Sequence, residues 1–285
     1  MTNIDRMTIA ATKSKRSSLR LKRSTACLPF FCPLFLSVSF LSTGDSQRKT
    51  TDRKKRGTEK TAQIEAPMPF DDSQFTISQQ VIAGRKIRLL LLTRPESILN
   101  EVGALSPEDV RQTDPYWGTL WPSAVSTAKL VLSQSWPAQQ PALEIGCGTG
   151  LVGVAGLLAG LNVTFSDLVP EAVELAQHNA ALNGFDDAPG MRIDWRSPPV
   201  RQFELILASD VLYSTELHEP LIEVLDRMLA PGGVCWIGDP GRATVREFLH
   251  RLPEQRFSVT LKTLLNEPCL IPSINEFQLL VVSRR

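Results

Sequence analysis

Three alternating glycines mark the segment of the chain that is best suited to bind a small molecule. Gly146, Gly148 and Gly150 follow the apolar run 142–145 and precede the apolar segment 151–158. In Rossmann-type sheets, a strand, a glycine turn and the start of a helix present backbone N–H groups to a cofactor. A Cβ atom in the turn would block the approach of the ligand. The pattern therefore predicts a cofactor site at this turn.

Two acidic residues beside the turn bear on the identity of the cofactor. Asp167 ends the next apolar run, residues 161–166, where a carboxylate would hold the two hydroxyls of a ribose. Glu144 lies two residues before Gly146 in a run that is otherwise apolar, and an unpaired charge would be costly to bury there. Glu144 is therefore the residue that separates the alternative cofactors.

The glycines by themselves leave three interpretations open. Gly148, Gly150 and Gly153 spell the G-x-G-x-x-G of dinucleotide folds, which would make this a nicotinamide site. A glycine turn without a ligand is the second interpretation. Glu144 favours the third, because it completes E-x-G-x-G-x-G, which resembles motif I of the seven-strand class I methyltransferases. The resemblance implies that this segment, Glu144 and Cys147 included, binds S-adenosylmethionine (AdoMet).

Charge is divided unevenly along the chain. The net charge is +1 over 285 residues, yet residues 1–60 hold 14 basic and 4 acidic residues, or +10, and the remainder holds 17 and 26, or −9. A mildly acidic body lacks the basic face that general nucleic-acid binding needs, so we expect no nucleic acid as a partner. The hydrophobic content of 42% suffices for one large core.

The cysteines show no pairing pattern. All five are scattered, with no C-x-x-C pair, at positions 27, 32, 147, 235 and 269. An odd, dispersed set of thiols suits a reducing compartment and predicts neither disulfides nor zinc. We therefore expect a cytoplasmic protein without a metal site.

Residues 1–67 do not read as part of a fold. Basic residues precede the apolar run 26–41, which Pro29 and Pro33 interrupt, and a second basic cluster follows. The arrangement imitates a signal peptide, but the run is short for a membrane span, and export would separate an AdoMet enzyme from its cofactor. We expect a disordered leader or an upstream extension of a start such as Met68, without stable membrane insertion. An organellar presequence, and export or anchoring, are the alternatives.

The N-terminal part of the folded body has a β pattern. Two β-rich runs, 74–82 and 86–92, predict a hairpin, and a loop with a short helix follows at 95–110. We assign residues 68–113 to this hairpin and loop, and residues 114–285 to a catalytic domain.

Two of the five tryptophans lie close together in residues 114–123, just ahead of a predicted helix. One interpretation is that both indoles cap the core. The cluster of Tyr116, Trp117 and Trp121 also resembles the family-16 methyltransferases, which include many protein-lysine enzymes. In that family the tryptophan before the helix packs against AdoMet, a role that the resemblance assigns to Trp121.

A short predicted strand, residues 191–195, ends in Asp194 and Trp195. In the family this pair borders the adenine of AdoMet. The carboxylate would accept a hydrogen bond from the adenine amine, and the indole would stack on the ring. A half-exposed structural tryptophan is the alternative.

The apolar run 203–208 predicts a central strand of a parallel sheet. It delivers Ser209, Asp210 and Tyr213 at its C-terminal end, where ligands bind in open α/β sheets. The resemblance places Ser209 at the cofactor. Asp-x-x-Tyr at this point is the signature of the lysine-methylating branch of the family, and it implies catalytic roles for Asp210 and Tyr213.

Two further segments resemble one group within the family. The pentapeptide 238–242, Gly-Asp-Pro-Gly-Arg, and residues 114–117 closely resemble the enzymes that methylate lysines of the electron-transfer flavoprotein β subunit. Arg242 would either contact the acceptor or bridge surface carboxylates. The resemblance covers about residues 75–285.

Strands and helices alternate after residue 120, which predicts an α/β fold with a doubly wound, Rossmann-like sheet. The family implies seven strands with an antiparallel last pair, and the runs 257–264 and 276–282 would form that pair. The histidines at 178, 218 and 250 lie on predicted helices, and we expect them at the surface.

Methyl transfer from a sulfonium to a nitrogen is an in-line displacement in which positioning dominates, and effective molarities of oriented reactants reach about 10⁵–10⁸ M. A lysine acceptor must also lose its proton, because with a pKa of about 10.4 only about one amine in a thousand is neutral near pH 7.4. Asp210 would orient the ammonium. Tyr213, Tyr116 and Trp117 would wall a channel that guides it inward through cation–π contact.

Four functions are compatible with these features. A protein-lysine N-methyltransferase is favoured, with the electron-transfer flavoprotein β subunit as first candidate substrate. A small-molecule N-methyltransferase of the nicotinamide N-methyltransferase type is the main alternative. A nicotinamide-dependent oxidoreductase and a non-catalytic AdoMet-binding partner protein are the other two.

Overall fold

Alternating strands and helices build the part of the chain that the computed structural model describes, residues 72–94 and 115–285. These residues belong to one unit, whose bounds are Gln63–Arg285. The leader predicted at residues 1–67 and the loop predicted at 95–110 lie outside the described residues.

The elements follow in the order expected for a doubly wound sheet. The strands described are β1 (Phe75–Ile82), β2 (Arg85–Leu92), β3 (Pro141–Ile145), β4 (Asn162–Asp167), β5 (Gly190–Arg192), β6 (Phe203–Ser209), β7 (Leu229–Asp239), β8 (Phe257–Lys262), β9 (Pro268–Cys269) and β10 (Gln278–Arg284). The α-helices described are α1 (Pro122–Leu132), α2 (Leu151–Leu158), α3 (Pro170–Ala181), α4 (His218–Met228) and α5 (Thr244–Arg251). Short 3-10 turns occupy Asp72–Gln74, Pro115–Gly118 and Thr215–Leu217.

The main sheet has the strand order β5-β4-β3-β6-β7-β10-β8-β9. Strands β3 to β7 pair in parallel, whereas β10 is antiparallel to both of its neighbours, β7 and β8. The predicted α/β fold and the antiparallel pair near one edge are confirmed. An eighth strand, the two-residue β9, pairs with β8 inside the connection to β10 and was not predicted.

Successive side chains of the central strands point into two different cores, because side chains alternate along a strand. Leu205 and Leu207 belong to one core, whereas Ile206 and Ala208 belong to the other. The first core takes its helical residues from α1, α2 and α3, and the second from α4 and α5. Helices therefore cover both faces of the sheet.

The predicted N-terminal hairpin is present. Strands β1 and β2 pair antiparallel around a turn at Ala83 and Gly84, both of which have positive φ. Ile87 and Leu89 of β2 are fully buried in the first core. The hairpin therefore packs on the sheet rather than standing apart from it.

His218 is buried, contrary to the expectation that the histidines lie at the surface. It is the first residue of α4, and Leu221, Ile222 and Leu225 follow at helical spacing on the same buried face. Its ring makes an edge contact with Phe248 at 5.5 Å between ring centroids. The position of His218 on the apolar face of the helix explains its burial.

Four parallel strands end at one edge of the sheet, which brings their C-terminal residues together. The glycine turn 146–150 follows β3, Asp167 ends β4, Asp210 follows β6 and Asp239 ends β7. None of the helices in residues 72–94 and 115–285 has the length and apolar character that a membrane crossing needs.

Candidate active site

The turn after β3 depends on its glycines. Gly146, Gly148 and Gly150 have φ values of +59°, +48° and +73°, which L side chains rarely adopt. A Cβ atom on Gly148 would lie 2.9 Å from the backbone oxygen of Trp117, and one on Gly150 would lie 2.6 Å from the Cβ of Ala176. Both the conformation and the close packing therefore require glycine.

Glu144 is buried beneath this turn and holds the start of α2. Its Oε2 accepts a hydrogen bond from the N–H of Gly153 at 2.9 Å, and its backbone oxygen accepts one from the hydroxyl of Ser166 at 2.7 Å. Burial raises the pKa of Glu144 well above its usual range, and the Gly153 N–H opposes that rise. The carboxylate predicted to mark an AdoMet site thus fixes the start of α2, directly after the glycine turn.

Asp167 faces the turn from the end of β4. Its Oδ2 accepts from the N–H of Gly148 at 3.0 Å, and its Oδ1 accepts from the N–H of Val169 at 3.1 Å. Burial raises the pKa of this carboxyl, and these N–H groups oppose the rise. Because Gly148 donates to Asp167, its N–H is not available to the phosphate of a dinucleotide.

The N–H groups of the turn that contains Cys147 donate hydrogen bonds to acceptors of the protein itself. The N–H of Cys147 donates to the oxygen of Ser166 at 2.9 Å, and its own oxygen accepts from the N–H of Gly150 at 2.7 Å. Burial raises the pKa of its thiol well above the usual value, and the charges of Asp167 and Glu144 add to the rise. We expected the turn to present its N–H groups to the cofactor, but the N–H groups of Cys147, Gly148 and Gly150 are engaged by protein acceptors.

Two tryptophans lie at this side of the sheet. Trp195 is near the turn, since a Cβ atom on Gly146 would lie 3.4 Å from its Cζ2. Trp121 has 40% of its surface exposed, and its indole N–H donates to the backbone oxygen of Tyr116 at 3.1 Å. Both indoles are partly accessible, as stacking on a cofactor would require.

Asp194 lies just beyond β5 rather than on it, because that strand ends at Arg192. Its Oδ1 accepts from the backbone N–H of Arg196 at 2.9 Å, in a local turn. A half-exposed ion pair at 3.6 Å joins the same two side chains. The carboxylate thus stays accessible beside Trp195.

Asp210 occupies a strained position after β6. Its φ is +60°, and its backbone N–H donates to the oxygen of Gly238 at 2.9 Å. Its Oδ2 accepts from the N–H of Ser123, at the start of α1, at 3.1 Å, and its Oδ1 accepts from Nη2 of Arg242 at 2.8 Å. Burial raises the pKa of Asp210, and Arg242 opposes this rise.

Arg242 joins two buried carboxylates. Its Nη1 donates to Oδ2 of Asp239 at 3.0 Å, while its Nη2 binds Asp210. Asp239, which is fully buried, also accepts at Oδ1 from the N–H groups of Gly241 and Arg242, at 2.8 and 2.7 Å. Of the two roles predicted for Arg242, bridging carboxylates is the one its contacts display.

The predicted residues form two adjoining groups. The cofactor group consists of the glycine turn, Glu144, Cys147, Asp167, Asp194, Trp195 and Ser209, the last residue of β6. The acceptor group consists of Asp210, Arg242 and Tyr213, to which the structure adds Asp239, and Tyr213 is 62% exposed. Val211 joins the groups, since its Cγ1 lies 3.1 Å from where a Cβ on Gly146 would be. Trp121 lies beside the acceptor group, because the Asp210 carboxylate holds the start of α1.

Sequence reasoning missed the partners of these residues. The sequence indicated Asp239 only as part of a pentapeptide. No sequence pattern predicts that the backbone N–H of Ser123 donates to a carboxylate. Asn179, a buried residue that donates to the oxygen of Thr149 in the turn, was also missed. Its place on the apolar face of α3, three residues after Ala176, was the available signal. Within residues 72–94 and 115–285, no group of three or more His, Cys, Asp or Glu could hold a metal ion.

The sheet order, the glycine turn and the acid after the next strand are those that the resemblance to the seven-strand methyltransferases implies. Residues 110–255, about half of the chain, match the family model described as lysine methyltransferase. The chain belongs to this family, as the sequence predicts.

Three named relatives are protein methyltransferases, two of them named for lysine and one for histidine. The electron transfer flavoprotein beta subunit lysine methyltransferase of Danio rerio is 31% identical over 155 residues, 52% of this chain and 60% of the relative. The protein-lysine N-methyltransferase rrg1 of Schizosaccharomyces pombe is 31% identical over 182 residues, 57% and 60% of the two chains. The histidine protein methyltransferase 1 homolog of Dictyostelium discoideum is 36% identical over 102 residues, 33% of each. The chain spans about 60% of the length of the first two relatives.

Proposed function

We propose that this protein transfers a methyl group from AdoMet to the side-chain amine of a lysine in a protein. When bound, AdoMet supplies a methyl group made electrophilic by its sulfonium. The nitrogen lone pair of the neutral lysine forms the new N–C bond as the S–C bond breaks, and the sulfur departs as a neutral thioether. Membership in the lysine methyltransferase family supports the reaction class.

The observation that carries this proposal is the arrangement of Glu144 and Asp167 around the glycine turn. Both carboxyls are held by backbone N–H groups, and burial raises the pKa of each. Glu144 is sealed inside the protein and holds the first turn of α2, while Asp167 stays partly exposed and can accept from a ribose. The N–H of Gly148, which could otherwise contact a pyrophosphate, is already engaged by Asp167. These contacts favour AdoMet over a nicotinamide dinucleotide.

In the proposed complex, Asp167 accepts from the ribose hydroxyls, and Trp195 and Asp194 border the adenine. Trp121, Ser209 and the turn 146–150 complete the cofactor site. Each of these groups is partly accessible or lies at the turn, as such contacts require.

The contacts of Asp210 favour a different role from the one that its sequence motif predicts. Both of its carboxylate oxygens accept hydrogen bonds from protein donors, Ser123 and Arg242. We therefore propose that Asp210 is a positioning residue, which fixes the segment leading to Tyr213 and the start of α1. Its net negative field beside Asp239, offset by a single Arg242, still favours an incoming ammonium. Tyr213 lines the entrance for the acceptor.

The first candidate acceptor is a lysine of the electron-transfer flavoprotein β subunit, which is the substrate in the printed name of the Danio rerio relative. The histidine enzyme of Dictyostelium discoideum acts on a different side chain. The test below therefore identifies the side chain that accepts the methyl group. It also detects methylation of histidine and of small amines such as nicotinamide.

The test is to incubate the purified full chain with labelled AdoMet and either the flavoprotein β subunit or a cell lysate. We expect 14 Da increments on lysine, located by mass spectrometry, and no increments with Gly148→Val protein. Label that appears on histidine or only on small molecules contradicts the lysine assignment. Failure of the protein to bind AdoMet contradicts the whole proposal.

We also propose a cytoplasmic location. The described cysteines, Cys147, Cys235 and Cys269, are free thiols, which supports a reducing compartment. Imaging of the protein with a C-terminal fluorescent tag tests this, and import into an organelle would contradict it.

A further inference from the structure

Two asparagines on one face of α3 and the turn after it hold strand β2 in place. The N–H of Leu90 donates to Oδ1 of Asn179 at 2.6 Å, and Nδ2 of Asn179 donates back to the oxygen of Leu90 at 3.1 Å. Four residues on, Asn183 repeats the pair with Arg88, at 3.0 and 2.7 Å. The two side-chain amides thus occupy the hydrogen-bonding edge of β2 that a neighbouring strand would otherwise fill.

Asn179 makes one contact that Asn183 does not. Its Nδ2 also donates to the backbone oxygen of Thr149, at 2.9 Å. Thr149 lies between Gly148 and Gly150, so the direction of its carbonyl sets the peptide plane that it shares with the N–H of Gly150. The corresponding amide of Asn183 donates instead to the oxygen of Asn179, in its own helix. Asn179 is fully buried, and of the two asparagines it is the one that connects the hairpin to the glycine turn.

A second contact runs from the same strand to the same turn. A Cβ atom on Gly118 would lie 2.2 Å from Cδ1 of Leu92, so the end of β2 packs directly against this glycine. Trp117, the preceding residue, places its backbone oxygen against Gly148, 2.9 Å from where a Cβ would be. The hairpin therefore supports the glycine turn both through Asn179 and through the 3-10 turn Pro115–Gly118.

We infer that the hairpin β1–β2 supports the cofactor site. Asn179 is a positioning residue that fixes the conformation of the glycine turn through its hydrogen bond to the oxygen of Thr149. The hairpin precedes residues 110–255, the part of the chain that matches the family model. The inference rests on the proposed function, because the affinity that the hairpin controls is the affinity for AdoMet.

The test compares Asn179→Ala with Asn183→Ala in the full chain. Both substitutions remove an amide that holds β2, so both are expected to lower the melting temperature. Only Asn179→Ala releases the carbonyl of Thr149. We expect it to raise the Kd for AdoMet at least tenfold, and the KM for AdoMet with it, by calorimetry and kinetics well below both melting temperatures. The Kd of Asn183→Ala should stay within about twofold of the unaltered protein.

A purely structural role for Asn179 predicts equal Kd values for the two variants, and that result overturns the inference. If Asn179→Ala does not fold, Leu92→Ala tests the second contact, since it keeps both asparagines. We expect it to raise the Kd severalfold, and an unchanged Kd would again overturn the inference. Loss of AdoMet binding by the unaltered protein would instead contradict the proposed function, so the two failures are distinguishable.

Discussion

The two halves of the candidate active site are built from different materials. The cofactor half, after β3 and β4, is a backbone structure in which glycines, peptide N–H groups, the buried carboxyl of Glu144 and the partly buried carboxyl of Asp167 fit together closely. The acceptor half, after β6 and β7, is held by side-chain charges, with Arg242 between Asp210 and Asp239. Added atoms are excluded in both halves, since a Cβ on Gly241 would lie 2.6 Å from the backbone of Glu276, but only the second half depends on an ion-pair network.

The two halves also differ in the groups that contact their carboxylates. In the cofactor half, backbone dipoles alone hold Glu144 and Asp167, and burial raises the pKa of both. In the acceptor half, a guanidinium already offsets the charge of Asp210. A protein cation thus offsets part of the negative charge of the second half, whereas only backbone N–H groups contact the carboxyls of the first. The predictions below use this difference, from the largest expected effect to the smallest.

Substitution Gly148→Val should abolish AdoMet binding. The new Cβ would lie 2.9 Å from the oxygen of Trp117, and valine is strained at a φ of +48°. Gly160→Val is the matched control, because Gly160 also has positive φ, +92°, but no atom lies within 4 Å of its Cβ position. Calorimetric titration should find no binding in the first variant and unaltered affinity in the second. Retained affinity in Gly148→Val would refute the assignment of the turn.

Substitution Asp167→Ala should weaken AdoMet binding by about 1.5–3 kcal/mol, the range for loss of a hydrogen bond to a charged group. The carboxylate both orders the N–H of Gly148 and, in our proposal, accepts from the ribose. Asp187→Ala, which removes an exposed carboxylate elsewhere, is the control. A change below about 0.5 kcal/mol, measured by the same titration, would remove Asp167 from the cofactor half.

Substitution Asp210→Asn should lower methylation at least about tenfold, roughly 1.4 kcal/mol, with AdoMet affinity little changed. The amide keeps the shape of the side chain but removes the charge that pairs with Arg242. Glu204→Gln, an exposed change on the same strand, should leave turnover unaltered. If Asp210→Asn weakened AdoMet binding as much as turnover, the division into two halves would be wrong.

The smallest expected effect concerns pH and lies outside both halves. Burial lowers the pKa of His218 below its usual 6.5, with Arg251 adding to the shift and Glu247 and Glu219 opposing it. The unfolded chain thus binds this proton more readily, so stability should fall as the pH drops below about 6.5. His218→Leu removes the proton site and keeps the apolar contact with Phe248.

Urea unfolding between pH 5 and 7.5 measures this contribution as the difference between the two proteins. We expect the stability of the unaltered protein to fall more steeply toward low pH than that of the variant. Parallel curves would show that His218 does not contribute, while the buried carboxyls affect both proteins equally.

Local sequence patterns predicted most of the helices and strands. They did not predict the contacts between residues that are distant in the sequence. Helix α2, Leu151–Leu158, was predicted with its observed bounds, because a glycine turn and an apolar run define it locally. The pair β8 and β10 was also predicted, from two late apolar runs. Strand β9 was not, since two residues, the first of them a proline, carry no periodicity.

The candidate site shows the same limit. The sequence indicated Glu144, Asp167 and Asp210, because acids stand out after apolar strands. It did not indicate their donors, which are backbone N–H groups and an arginine brought near by the fold. The contacts of the Asp210 carboxylate, with Ser123 and Arg242, therefore could not be predicted from its motif.

The place of β10 in the sheet bears on how the nascent chain folds. This strand lies between β7 and β8, yet it is synthesised after both. Until residues 278–284 emerge from the ribosome, β7 lacks its antiparallel neighbour, and β8 has no partner to join it to the sheet. Unpaired strand edges recruit other chains. Closure of the sheet is thus a late step, because the edge of β7 stays unpaired until the last described strand of the chain can join it.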